Sequence, residues 1–209
     1  SYPYGVMINR DGRRFLNEGE DVGMYTYAKY GGRILGEPGS LAWQIFDQRT
    51  VHLLEPRYNT SDPISADTLE ELVEQLDVDD KEQALRTLQE YNAAVPPSGS
   101  NEGFDPTQKD GLASSGLSPE KSNWATRLDQ PPFVAYSATG GITFTFGGLK
   151  IDENARVIGT DWRPIEGLYA CGEMVGGLFH FNYPGGTGLV SGAVFGKIAG
   201  ASAAHRAKA

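Results

Sequence analysis

Apolar positions follow two rhythms along the chain. A strand-like run covers residues 4–9, and residues 10–18 follow it as a second short strand. Asp11-Gly12 sits between them as a two-residue hairpin signal, because both central positions of that turn favour positive φ. Helical spacing is expected over 22–35, with Gly31-Gly32 weakening its end, and strand alternation over 41–46. Residues 66–78 open on Asp67-Thr68-Leu69-Glu70, which resembles a capping box, and place Leu69, Leu72, Val73 and Leu76 on one helical face. Asp80 is the expected cap of a second helix running to 95, with Ala84, Leu85, Leu88 and Tyr91 on its apolar side. Two such helices in succession predict an α-hairpin packed on a sheet. A long excursion rich in Pro, Gly, Ser and Asn fills 96–123, and loops of that length are often functional. Strand signals resume at 133–138, 142–146, 149–151 and 156–158, then in Gly167-Leu168-Tyr169-Ala170-Cys171-Gly172, a strand running into a glycine turn. A final helix is expected over 187–205, rich in Gly and Ala and read as a packed helix. No internal repeat is evident.

Composition changes this picture at one place. Of 27 glycines, 15 fall between Tyr136 and Ala209. Such density marks backbone that approaches something closely or needs positive φ. The expected domain boundary therefore lies at 142, with 1–142 and 143–209 as separate bodies. The net charge of -9 argues against nucleic acid or an anionic membrane as partner, since both need a basic face. A single cysteine, Cys171, rules out an internal disulfide and suits a reducing cytoplasm. No apolar run reaches the ~20 residues of a transmembrane segment, and the first residues lack the pattern of a signal peptide. The chain opens without methionine, inside what reads as a strand, so a fragment or an incomplete reading frame is expected.

Candidate chemistry concentrates after residue 138. The string contains Thr139-Gly140-Gly141, then Gly147-Gly148-Leu149-Lys150-Ile151-Asp152. It continues with Ile165-Glu166-Gly167-Leu168-Tyr169-Ala170-Cys171-Gly172-Glu173, Gly176-Gly177 and Asn182-Tyr183-Pro184-Gly185-Gly186-Thr187-Gly188-Leu189. A strand ending in Gly172-Glu173 can hold a carboxylate where it accepts hydrogen bonds from sugar hydroxyls. Gly185, Gly186, Thr187, Gly188 and Leu189 open a helix whose first-turn N–H groups favour an electron-rich ligand. Lone readings of either block remain open: a solvated loop carboxylate, and an ordinary glycine-rich helix entry. There is no P-loop, no Gly-x-Ser-x-Gly, and no Cys or His at metal-ligand spacing.

This string resembles the closing third of the fumarate reductase/succinate dehydrogenase flavoprotein superfamily, and within it most resembles the tricarballylate dehydrogenase branch. Arg14-Phe15-Leu16-Asn17-Glu18 matches that superfamily's substrate-cap entry motif. The resemblance implies an α+β chain: a substrate-cap domain, then the C-terminal strands and helix of an incomplete FAD-binding α/β domain. It implies FAD as cofactor, with Glu173, Gly172 and the 185–189 turn as its contacts. It also implies dehydrogenation of a saturated C–C bond next to a carboxylate, with tricarballylate favoured and the electron acceptor unidentified. Flavoproteins of this type carry Gly-x-Gly-x-x-Gly near their N-terminus, and no such fingerprint occurs in these 209 residues. The pyrophosphate and adenosine sites are therefore expected outside this chain, which alone should bind FAD weakly or not at all.

Three positions depart from the fumarate reductases. Gly19-Glu20-Asp21-Val22 stands where the resemblance implies a proton-donating arginine. Thr143, Phe144 and Thr145 fill the region of a substrate histidine, and Tyr183 replaces a substrate arginine. Tyr183-Pro184-Gly185 resembles the same tripeptide of 3-ketosteroid 1-dehydrogenases, in which that tyrosine bonds the substrate carbonyl. Tyr183 is thus a candidate donor or base, or a ring packed beneath the flavin. His180 is a further acid/base or anion-binding candidate. Lys29 and Arg33, at i and i+4, are candidate carboxylate ligands or a solvated basic turn. Thr143 and Thr145 would point one way from a strand, toward substrate or into an interdomain cleft. Two other readings stand beside the carboxylate dehydrogenase: a 3-ketosteroid-type dehydrogenase, and a catalytically silent module that retains no FAD.

Overall fold

β1 (Val6–Asn9) and β2 (Ala42–Phe46) are buried along their whole length, the polar Asn9 and Gln44 included, so the alternation over 41–46 does not mark a solvent face. With β3 (Ile64–Ala66) and β4 (Phe133–Ala138) they form an antiparallel sheet in the order β1-β2-β4-β3. The register pairs Val6 with Ile45 and Ile8 with Trp43, and sets Ile45 against Ala135. One face packs on α2 (Leu69–Gln75) and α3 (Lys81–Ala94) through Val6, Ile8, Trp43, Ile45 and Ala135 against Leu72, Val73, Leu88 and Tyr91. The other face, with Met7 and Ala42, meets Tyr30 and Ile34 of α1 (Gly23–Leu35). The coordinates are a computed structural model, and the structure describes residues 1–96, 105 and 107–208. Much of the predicted 96–123 excursion, residues 97–104 and 106, lies outside the described residues.

The local signals act as expected on the helices. Thr68 accepts a hydrogen bond from the Glu71 N–H and Asp80 from the Gln83 N–H, each satisfying a first-turn donor. The chain divides into two compact units, Ser1–Gly140 and Gly141–Ala209.

The expected hairpin forms only its turn. The Gly12 N–H bonds the Asn9 carbonyl at 3.0 Å, and Gly12 takes φ +73°. A Cβ on Gly12 would lie 2.5 Å from the Ala84 nitrogen, so glycine is needed for close approach as well as for φ. Residues 13–18 form no strand. Glu18 is the reason: its fully buried carboxylate accepts the Met7 N–H at 2.9 Å and the Arg14 Nε at 3.0 Å. The chain therefore folds back on β1 through a side chain instead of a second ladder. Arg14 also donates to the Pro119 carbonyl at 2.7 Å, and Asn17 and Gly19 bond Ser122 and Asn123. Lys121, itself fully buried, donates to the Gly5 carbonyl at 2.7 Å. Residues 14–19 thus fasten residues 119–123 across the N-terminal strand.

The second unit holds a short hairpin, β5 (Arg156–Ile158) with β6 (Pro164–Tyr169), and α4 (Thr187–Arg206). Its buried apolar cluster is small: Val157, Ala170 and Val175, with Ile151 against them. The strands expected at 142–146 and 149–151 do not form; single bridges join Leu149 to Val175 and Ile151 to Val157. Between Gly141 and Gly147 the Thr145 N–H goes to a carboxylate and the phenylalanines pack on other rings, leaving no ladder to join. β6 also starts earlier than the expected strand and stops at Tyr169. Among the described residues no helix is long and apolar enough to cross a membrane.

Candidate functional site

The second unit contains a cleft of about 420 Å³ between the glycine turn after β6 and the first turns of α4. After Cys171 the chain enters a 3-10 turn, Gly172–Met174, with Gly172 at φ +77°. This projects Glu173 into the cleft mouth. Its Oε1 accepts the Thr145 main-chain N–H at 2.9 Å and lies 3.5 Å from the Thr145 hydroxyl. Across the cleft, Gly186 caps α4 in the left-handed region and supplies no side-chain acceptor. The Thr187 N–H donates to the Pro184 carbonyl at 3.2 Å, so the Gly188 and Leu189 N–H groups are the first-turn donors left for a ligand or solvent. Thr187 folds back, its hydroxyl donating to the Pro184 carbonyl at 2.6 Å.

Glycine spacing lets α4 lie close to this turn. A Cβ on Gly188 would sit 3.5 Å from the Phe144 ring, one on Gly192 3.6 Å from the Gly172 Cα, and one on Gly196 3.7 Å from the Cys171 sulfur. The remaining wall is aromatic. Tyr183, 6% exposed, has its ring centre 4.4 Å from Phe144 and 5.7 Å from both Phe146 and Phe179. Leu178, Val175 and Leu189 complete the apolar lining, and Glu173, Thr145 and Ser191 are its polar side chains. No lysine, arginine or histidine lines it.

A flat aromatic group bearing a hydroxylated chain fits these walls. Cβ atoms added at Gly172 or Gly186 would meet nothing within 4 Å, so both glycines border open space. Glu173 and the helix terminus supply an acceptor and donors at its edges. Nothing in the lining suits a pyrophosphate, which calls for cations or a glycine-rich strand-helix turn.

The structure brings seven of the sequence candidates to this cleft: Thr145, Gly172, Glu173, Tyr183, Gly186, Gly188 and Leu189. Gly185 and Thr187 lie in the adjoining turn without lining it. His180 is exposed, with its ring 4.1 Å from that of Phe181, and it too stands outside the lining. Thr143 is exposed and does not line the cleft. Lys29 and Arg33 belong to the first unit. Lys29 Nζ bonds both carboxylate oxygens of Glu20, at 2.6 and 2.7 Å, while Arg33 is exposed near the end of α1. Phe144, Leu178, Phe179 and Ser191 were not foreseen; the spacing of Phe144 and Phe146 was the available signal for an aromatic wall.

A family model described as "FAD binding domain" matches residues 3–190. The NADH:acrylate oxidoreductase of Vibrio harveyi is 34% identical over 209 residues, covering 95% of this chain and 18% of that protein. The 3-oxosteroid 1-dehydrogenase of Mycolicibacterium smegmatis is 29% identical over 236 residues, covering 99% of this chain and 39% of that protein. The open conformation of a flavocytochrome c3 fumarate reductase superposes with a TM-score of 0.65 at 29% identity, covering 98% of this chain and 33% of that one. The chain spans well under half the length of these relatives.

Proposed function

We propose, from the premise that the chain belongs to the FAD binding domain family, that it is the substrate-facing portion of a flavin-dependent dehydrogenase acting on a saturated C–C bond next to a carbonyl or carboxylate. In this reading residues 1–142 form a substrate cap and 143–209 part of the flavin domain. The single observation that carries it is the cleft, in which Glu173, the open N-terminus of α4 and the Tyr183 ring converge. Bound FAD would accept a hydride equivalent from the substrate's β-carbon. Glu173 would accept a hydrogen bond from a flavin hydroxyl, and the first-turn N–H groups of α4 would face its pyrimidine edge. The Tyr183 phenol would donate to the substrate oxygen, polarising it so that the α-proton passes more readily to water at the cleft mouth. The aromatic wall would keep water from the Tyr183 end.

The lining favours a neutral carbonyl compound with an apolar body, of the 3-ketosteroid kind. A tricarballylate-like acid is the second reading, favoured by the similarity to the acrylate oxidoreductase of Vibrio harveyi; Lys29 is already engaged by Glu20. A third reading, a catalytically silent module that retains no FAD, draws on the missing dinucleotide fingerprint and on α4, none of whose residues is buried. A cytoplasmic location goes with the single cysteine. The test is to add FAD to the purified chain, remove excess, and record the visible spectrum. Anaerobic bleaching by a 3-ketosteroid, by tricarballylate or by neither then separates the substrate readings, and Tyr183→Phe should slow bleaching about a hundredfold. A chain that holds no flavin at any concentration supports the silent module, and a flavin-loaded protein that is bleached by neither substrate defeats the dehydrogenase reading.

A further inference from the structure

Two neighbouring residues touch the Tyr183 ring and the Glu173 carboxylate of the cleft. The Phe144 ring is the nearest neighbour of Tyr183 in the aromatic wall, meeting it edge-on at 73°, and it also packs on Phe146 and Phe179 at 5.4 and 5.8 Å. On its far side the first turn of α4 closes in, since a Cβ on Gly188 would stand 3.5 Å from the ring. The ring thus lies between Tyr183 and the first turn of α4. One residue later, the Thr145 main-chain N–H holds Glu173 Oε1. Glu173 is otherwise exposed, so this bond selects which way its carboxylate points and leaves Oε2 for a ligand hydroxyl.

We propose that Phe144 and Thr145 are the positioning residues of this cleft, Phe144 fixing the Tyr183 phenol through its ring and Thr145 fixing the Glu173 carboxylate through its main chain. The catalytic meaning of this rests on the proposed function; the positioning itself does not. Because the Thr145 contact is made by the backbone, a side-chain change such as Thr145→Val leaves it intact, whereas Thr145→Pro deletes the donor. Phe144→Leu preserves bulk without the ring, and Phe144→Ala removes both.

The positioning is measured on the chain alone. Nitration of Tyr183 by tetranitromethane, read by peptide mass spectrometry, should speed up about tenfold in Phe144→Ala, the fold-change equivalent of a lost aromatic pair. Phe144→Tyr should restore the parent rate. Amide hydrogen exchange at Thr145 should likewise accelerate about tenfold in Glu173→Ala, as expected when a charge-assisted bond is removed. Unchanged circular dichroism shows that the variants are folded. A Tyr183 nitration rate in Phe144→Ala within a factor of two of the parent overturns the role of Phe144; unchanged Thr145 exchange overturns that of Thr145. In flavin-loaded protein, Phe144→Ala should lower kcat, and Thr145→Pro should weaken flavin more than Thr145→Val does. If Phe144→Ala frees Tyr183 while Tyr183→Phe turns over normally, the proposed function of Tyr183 fails and the positioning stands.

Discussion

Replacing Lys121 with methionine tests the fastening of residues 119–123 to β1. The ammonium is fully buried, and burial pulls its pKa from 10.5 to about 7, with Glu18 acting in the opposite direction and Arg14 adding to the fall. Asp110 supports the charged form more weakly. In the unfolded chain the same amine titrates near its ordinary value, so between the two values the unfolded state binds more protons. Stability must therefore rise with pH across that window: the cost of the buried charge is fully present below pH 7 and vanishes above about pH 10.5. From these two values, stability should increase by about 2 kcal/mol between pH 7 and pH 9. Methionine has similar bulk and no proton, so that increment should disappear in the variant. It also strands the Gly5 carbonyl, a loss of about 1–3 kcal/mol. Glu18 keeps Arg14 and the Met7 N–H, so no carboxylate is orphaned. Urea unfolding followed by tryptophan emission reports on this unit, because Trp43 and Trp124 are buried in it. A flat difference between parent and variant from pH 7 to pH 9, or a parent that weakens over that range, would refute the reasoning.

Gly12→Ala should destabilise the first unit by about 2 kcal/mol or more, since alanine at φ +73° is strained and its Cβ would strike the start of α3; the urea midpoint reads this directly. Gly192→Leu should push α4 off the glycine turn, because even a Cβ there lies 3.6 Å from the Gly172 Cα, and flavin fluorescence quenching should then vanish. Gly200→Ala should instead stabilise α4 by about 0.5–1 kcal/mol, as its Cβ meets nothing within 4 Å and glycine weakens helix interiors; a lower melting temperature would contradict this.

What the sequence displayed depended on how local the deciding interaction was. Thr68 and Asp80 cap helices whose first N–H groups lie three residues away, and both were legible. The second strand of the N-terminal hairpin was not, because Glu18 is held by β1 and the loop from 119 to 123 replaces a ladder. At 142–146 the phenylalanine spacing was real, but its partners are the rings of Phe179 and Tyr183 rather than a neighbouring strand. Lys29 read as a free cation because sequence does not reveal that Glu20, nine residues earlier, folds back onto it. Glu173 and Tyr183 were legible through their glycine-rich surroundings, whereas an apolar wall carries no chemical signature of its own.

The packed helix expected at 187–205 exposes the limit most clearly. A helix apolar on every side belongs in an interior, yet no residue of α4 is buried and Leu189 is 84% exposed. Its close-packed glycines, Gly188, Gly192 and Gly196, are matched to Phe144, Gly172 and Cys171, while Gly200, next in the same spacing, faces open space. One face of α4 is therefore explained by what this chain contains. Gly200 has no such matched contact among the described residues, which makes the sign of the Gly200→Ala effect in a flavin-loaded protein the informative comparison with the chain alone. Stabilisation in both would make that glycine incidental. Stabilisation in the chain with loss of flavin in the loaded protein would show that a surface lying against α4 needs the space.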